Sequence, residues 1–229
     1  MRPPTIPSSA FRHPFDTVLG SPGNVRILRS LATHGRPMAT SELVTRTRLN
    51  ASGMRRSLAA LTITGLVAYF GSDRSTVYQL NAAHPLAASL VGLYVAEAAR
   101  VDRVLSDFRV VAATLFVAPI AIWLYGSAAR GVDAPLSDLD IVMIVKDDAD
   151  VAPVVEAMRQ RMEQTEAREC VSISVIGLSA RDVARLESGD PWWLTVREDA
   201  IPLVGPSPAT LEQRLAAHAA RTPKRGGSR

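Results

Sequence analysis

The sequence predicts a two-part α+β protein. A helical N-terminal half closes with a β-hairpin, a long helix follows, and strands alternate with helices in the C-terminal half. Three observations carry this. Apolar residues at helical spacing before residue 65 give way to two short β-rich runs. From Leu86 to Val111 apolar residues recur at threes and fours. Between 120 and 204, short apolar runs are separated by helical stretches. Charge divides along the same lines. Residues 20–81 carry eight arginines and two acids, a balance of +6. Residues 111–205 carry eight bases and fifteen acids, −7, and residues 206–229 carry five bases and one acid, +4. Such asymmetry argues for domains with different partners.

Composition removes several classes. The chain has 229 residues, of which 47% are hydrophobic, enough to bury a core. Cys170 is the one cysteine, so no intramolecular disulfide can form. His13, His34, His84 and His218 are scattered without cysteine partners, which argues against zinc. Prolines stand where the apolar region of a secretory signal would be needed. Val110–Tyr125 is uncharged, but it is shorter than the roughly 20 residues a membrane span needs, and Pro119 breaks it. The expectation is a cytoplasmic protein with no membrane partner.

The elements follow in order. Residues 1–14, with Pro3, Pro4, Pro7 and Pro14, read as a disordered arm. Ser21-Pro22-Gly23-Asn24 starts a helix whose stripe is Val25, Ile27, Leu28, Leu31 and Ala32, ending at His34-Gly35. Thr40 is the expected N-cap of a helix over 41–46. A third helix runs from near Ala51 to Gly65 with Met54, Leu58 and Leu61 inward. Ser52, Arg55, Arg56 and Ser57 then point away. Leu66–Phe70 and Thr76–Leu80 form a hairpin around the loop 71–75.

Three helices and then a hairpin resemble the winged helix-turn-helix of bacterial transcription regulators, over residues 15–82. The resemblance implies that the third helix enters the major groove of double-stranded DNA. Ser52, Arg55, Arg56 and Ser57 would then face DNA, and Arg74 would be the wing-tip phosphate contact. The +6 balance suits a polyanion. The alternative is a small helical docking domain with a solvated basic face.

A connecting helix over 83–115 has Leu86, Leu90, Leu93, Val101, Val104, Phe108 and Val111 on its stripe, with Pro85 in its first turn. It can serve as a spacer or as a homodimer seam.

The C-terminal domain, 116–206, starts with a strand over 120–125, then the turn and helix Gly126–Gly131, then a strand over 140–145. Asp147, Asp148 and Asp150 form an acidic turn and N-cap. A helix over 151–168 turns Val155, Met158 and Met162 inward, and a strand covers 171–176. Ser179 caps a helix over 180–186, Gly189-Asp190-Pro191 forms a turn, and a last strand covers 200–204. Residues 207–229 are an amphipathic piece and a basic tail.

Chemistry concentrates in Trp123–Val145. Gly126-Ser127 lies where a strand turns into a helix, so backbone N–H groups can face a phosphate. Asp138 and Asp140 are two apart at a strand start, hence on one face. Converging carboxylates need a cation, and hard oxygen ligands suit Mg²⁺.

Gly126, Ser127, Arg130, Gly131, Ser137, Asp138 and Asp140 together resemble the core of the DNA polymerase β-like nucleotidyltransferase superfamily, especially its small bacterial members. The resemblance implies an α/β domain with a mixed sheet. It also implies that Gly126, Ser127, Arg130 and Ser137 bind a nucleoside triphosphate, and that Asp138 and Asp140 are the catalytic carboxylates and hold Mg²⁺ or Mn²⁺. In such enzymes a hydroxyl attacks the α-phosphorus, pyrophosphate leaves, and a third carboxylate on the strand after the next helix completes a two-ion site. Here that strand carries Ser172 and Ser174 on the face expected to meet the aspartate pair. Glu169 is the nearest acid.

Three functions remain open on the sequence. One is a nucleotidyltransferase with a DNA-binding module. Another is a DNA-binding regulator whose nucleotidyltransferase domain is a weakened nucleotide sensor. The third is an antitoxin-like protein with a toxin-like partner. Trp192 and Trp193 either stack on a base or pack the end of the domain.

Overall fold

The computed structural model describes residues 18–72, 75–135, 137–186 and 189–221. The expected arm, the expected wing contact Arg74 and the tail beyond 221 lie outside these residues. The chain divides into two compact units, one ending at Ala99 and the other starting at Arg100. No described helix is long and apolar enough to cross a membrane.

In the first unit, α1 (Pro22–His34) begins where Ser21 Oγ accepts the Asn24 N–H and ends at Gly35, which has φ +69°. β1 (Met38–Ala39) is a two-residue strand that the sequence reading did not contain. α2 (Thr40–Thr47) follows it directly. Thr40 is not its cap. Ala39 holds that position and makes no side-chain capping bond, because the chain enters the helix straight from a strand. α3 (Ala51–Ile63) is capped by Asn50, whose side chain accepts the Gly53 N–H at 2.8 Å, an arrangement worth about 1 kcal/mol. β2 (Val67–Phe70) and β3 (Val77–Leu80) pair antiparallel, and β1 joins on the far side of β3, giving the order β1-β3-β2. Ile27, Leu28, Leu31, Leu43, Met54, Leu58 and Leu61 form one core beneath this sheet.

The long helix α4 (Ala87–Thr114) begins four residues later than expected. Asn81 and His84 stop it from starting sooner, because their side chains accept the Ala83 and Leu86 N–H groups in a tight turn. Its buried stripe also differs. Leu90 and Tyr94 join the core of the first unit, while Leu93 and Val101 are more than half exposed. In the second unit Val104, Phe108 and Ala112 are buried.

The second unit is built on a four-stranded sheet of order β6-β5-β4-β7. β4 (Ala121–Tyr125) runs antiparallel to β5 (Leu139–Val145) and to β7 (Ile201–Val204), whereas β5 and β6 (Ile173–Ser179) are parallel. The sheet is therefore mixed. Alternation along β5 separates two layers. Ile141, Met143 and Val145 pack with the C-terminal half of α4 and with α6 (Val151–Glu169). Val142 and Ile144 face Trp123, Tyr125 and Trp193 on the opposite side.

Several boundaries moved here. The strand expected at 171–176 starts two residues later and runs to Ser179; its start is delayed because α6 extends through Glu169 and Cys170 closes it with φ +51°. Asp150 occupies the N-cap of α6 without a side-chain capping bond, while Asp148 pairs with Arg181 at 2.8 Å. Ser179 does cap α7 (Ala180–Arg185), in a reciprocal capping box with Asp182. The turn at 189–191 opens a helix, α8 (Pro191–Asp199), capped by Asp190. α9 (Pro208–Arg221) closes the described chain.

Candidate functional site

β4 ends at Tyr125, and the chain turns at once into the five-residue helix α5 (Gly126–Arg130). Gly126 has φ +75°, a conformation that side chains oppose. It is also crowded: a Cβ there would lie 2.6 Å from Oδ2 of Asp140. Asp140 is the register partner of Tyr125 across the β4–β5 pair, so its carboxylate projects on the Tyr125 side of the sheet and rests against the turn. Asp138, two residues earlier and just outside the strand, is exposed and close enough for its charge to act on Asp140. Burial, and then the charge of Asp138, push the Asp140 carboxyl above the usual range, with Arg130 pulling in the opposite sense. Neither carboxylate accepts a hydrogen bond from the described residues.

The other expected residues divide. Ser137 Oγ accepts the Ala134 N–H at 3.1 Å, which shapes the loop before the aspartates. Arg130 forms an ion pair with Asp199, whose side chain is only 10% exposed. Asp199 was not in the sequence reading, since nothing local marks a carboxylate at a helix end as the partner of an arginine 69 residues away.

Register fixes which residue of β6 stands beside Asp140. β6 lies parallel to β5 with Ser174 opposite Asp140. Val175 belongs to the α6 side, so Ser174 faces the aspartate side as a half-buried hydroxyl. Glu169 is elsewhere. It sits at the end of α6, in the layer on the other face of the sheet. Arg103 and Arg168 donate to its carboxylate at 2.8 and 2.9 Å. Those hydrogen bonds hold its carboxyl at about 2. Among the described residues no three His, Cys, Asp or Glu side chains are grouped to hold a metal ion. Asp138 and Asp140 thus fit one hard cation completed by phosphate oxygens, and the set does not fit two protein-held ions.

The two tryptophans part company. Trp193 is wholly buried against Trp123 and donates its indole N–H to Glu212 at 2.6 Å. Trp192 is half-buried, edge-on to Tyr125 with ring centroids 6.0 Å apart.

In the first unit, Ser52, Arg55 and Arg56 are exposed on α3. Ser57 is not. It is 5% exposed and packs on α1, where a Cβ on Gly23 would meet its Oγ at 2.4 Å. Position 57 is three residues from Met54 and four from Leu61, which puts it on the buried stripe. Beside Arg55, a groove of about 450 Å³ is lined by Thr40, Thr62, Tyr69, Thr76 and Tyr78, none of which the sequence pattern singled out.

No curated protein matches the chain. Among solved structures, a toxin–antitoxin crystallised with AMP-PNP aligns at 13% identity and a TM-score of 0.35, covering 51% of this chain and 86% of that one. A mutant of the toxin–antitoxin MntA-HpeT aligns at 14% identity and a TM-score of 0.31, covering 44% and 75%. Residues 106–178, which include Gly126, Ser127, both aspartates and Ser174, match the family model described as a nucleotidyltransferase domain.

Proposed function

We propose that the protein binds a nucleoside triphosphate together with one divalent cation, Mg²⁺ or Mn²⁺, in a nucleotidyltransferase-like domain. We propose further that a winged helix-turn-helix over residues 15–82 couples this domain to double-stranded DNA in the cytoplasm. The observation that supports the nucleotide reading is the Asp140 carboxylate lodged against side-chain-free Gly126, with Asp138 beside it and Ser174 across the β5–β6 pair. Asp138 and Asp140 would hold the cation, which when bound would neutralise charge on the triphosphate. The residues do the rest. Gly126 leaves room at the turn, Ser127 offers a hydroxyl and a backbone N–H to phosphate, and Ser137 fixes the loop that carries Asp138. Transfer to a hydroxyl acceptor also needs charge beside the attacking oxygen. A serine hydroxyl does not supply it, so this copy is read as a nucleotide-responsive DNA-binding protein rather than an efficient transferase.

The test is calorimetric titration with the four ribonucleoside triphosphates, with and without Mg²⁺, alongside a pyrophosphate-release assay. Binding should require Mg²⁺ and vanish in Asp138→Ala/Asp140→Ala, and pyrophosphate release should stay at background. Binding that persists in the double variant would remove the site. Release that depends on Asp138 and Asp140 would make the protein an active transferase. Gel shifts with DNA from upstream of its own gene, run with and without nucleotide, test the coupling. Equal affinity for random DNA at every salt concentration would end the regulator reading.

A further inference from the structure

Three indoles crowd one face of the second unit's sheet, and two of them are structurally complete. Trp123 and Trp193 are fully buried, and their N–H groups bond to the Pro206 carbonyl at 2.7 Å and to Glu212 at 2.6 Å. Trp192 differs on both counts. It keeps part of its surface open, and its N–H reaches only the Tyr125 hydroxyl, at 3.4 Å. Its position is nevertheless fixed. Asp190 caps α8, Pro191 occupies the first turn, Trp193 backs the ring at a centroid distance of 6.2 Å, and Tyr125 meets it at 85°. Trp192 packs against the core on this face, yet leaving part of a large ring in water forgoes some of the roughly 25 cal/mol per Å² that full burial would supply.

The place of that ring is informative. Tyr125 directly precedes the Gly126 turn and is the register partner of Asp140. Trp192 is therefore one aromatic ring removed from the phosphate end of the site and on the same side of the sheet. Open aromatic faces accept nucleobases with little regard to sequence.

We propose that Trp192, braced by Tyr125 and Trp193, is the stacking platform for the base of the nucleoside triphosphate. This rests on the nucleotide reading above. The bases of purine and pyrimidine nucleotides would stack on it, whereas a ligand consisting of phosphates alone would not engage it.

The test compares a nucleoside triphosphate with inorganic tripolyphosphate, each with Mg²⁺, by calorimetry and by tryptophan emission. In the wild type ATP should bind and quench emission, and tripolyphosphate should bind without quenching, since the other two indoles are wholly buried. Trp192→Ala should weaken ATP on the order of 10- to 100-fold, in line with about 1–3 kcal/mol per stacked base, and leave tripolyphosphate unchanged. Trp192→Phe, which keeps a ring, should retain ATP binding and lose the quenching. Equal weakening of both ligands in Trp192→Ala, no weakening of either, or quenching that survives in Trp192→Phe would each overturn the platform and leave nucleotide binding standing. A wild type that binds neither ligand would instead remove the nucleotide reading, and the platform with it.

Discussion

Asp140, at the start of β5, and Gly126, the first residue after β4, interlock. The carboxylate oxygen occupies the space that any side chain at 126 would need, 2.6 Å from an ideal Cβ, while φ at 126 is +75°. Two separate constraints, one conformational and one steric, thus demand glycine at a single position. Gly126→Ala should cost on the order of 1–3 kcal/mol of stability from the backbone alone. It should also displace Asp140 and abolish Mg²⁺-dependent nucleotide binding. Gly131 is a contrasting control. It too has positive φ, but nothing lies within 4 Å of a Cβ there. Gly131→Ala should lower stability and spare binding. Urea unfolding and calorimetry on both variants would check this.

The same carboxylate should tie stability to pH. Its folded pKa is raised, by burial first and by Asp138 second. A group of this kind favours the folded state most below its unfolded value, near 3.8, and that contribution is lost as pH rises through the folded value. Asp140→Asn should therefore stabilise the cation-free protein at neutral pH, with the gain fading as pH falls towards 3.8. The wild type should recover the difference when Mg²⁺ is added, and the variant should not. Thermal unfolding from pH 3.5 to 8, with and without Mg²⁺, measures both effects.

Glu169 should behave in the opposite way. Arg103 and Arg168 lower its carboxyl to about 2 from 4.5, so its stabilising contribution is complete above 4.5 and disappears as pH falls towards 2. Glu169→Gln should flatten the acid limb of the stability profile in that window and lower stability at pH 7. Nucleotide affinity should be unchanged, because Glu169 stands on the other face of the sheet.

These residues also mark what sequence could and could not carry. The Gly126-Ser127 turn and the two aspartates were legible, because period-two alternation on β5 and the turn glycine are local signals. The buried stripe of α3 was legible for Met54, Leu58 and Leu61. It failed at Ser57, which shares the stripe's spacing, since whether a small polar residue there is covered depends on how closely another helix approaches. Here that approach occurs at Gly23. Asp199 as the partner of Arg130, and Trp192 beside Tyr125, are meetings between distant segments and left no local trace. The late start of α4 was missed for a different reason: Asn81 and His84 bond to backbone N–H groups that a helix would otherwise use.

Ser57 gives the proposed DNA face a sharp internal control. Arg55→Ala and Arg56→Ala should each weaken DNA binding across sequences and reduce the salt slope by about 1, leaving unfolding unchanged. Ser57→Leu should do the reverse. It forces a larger side chain against α1 and should destabilise the first unit by roughly 1–3 kcal/mol. Gel shifts at several salt concentrations, paired with thermal melts, separate the two patterns. An unchanged salt slope in Arg55→Ala/Arg56→Ala would move DNA contact away from α3.

Ser174 is the position at which a third carboxylate should add transfer chemistry to the proposed nucleotide site. It stands opposite Asp140 in an unbroken parallel register, on the aspartate side of the sheet, with Ile176 beyond it on the same face partly open to solvent. A carboxylate there adds the charge that a hydroxyl lacks and completes a three-acid set around two oxygen-liganded ions. Ser174→Asp should bind a second Mn²⁺ in titrations and release pyrophosphate from nucleoside triphosphates in the presence of a hydroxyl acceptor. It should also lose stability in the absence of metal, since three acids then repel across one sheet face. That stability should return on adding Mn²⁺, with the transition midpoint rising as metal concentration increases. Ser174→Asn, of the same shape without the charge, should gain neither activity nor metal dependence. If Ser174→Asp bound no second ion while remaining folded, the third ligand of this site would have to come from somewhere other than β6.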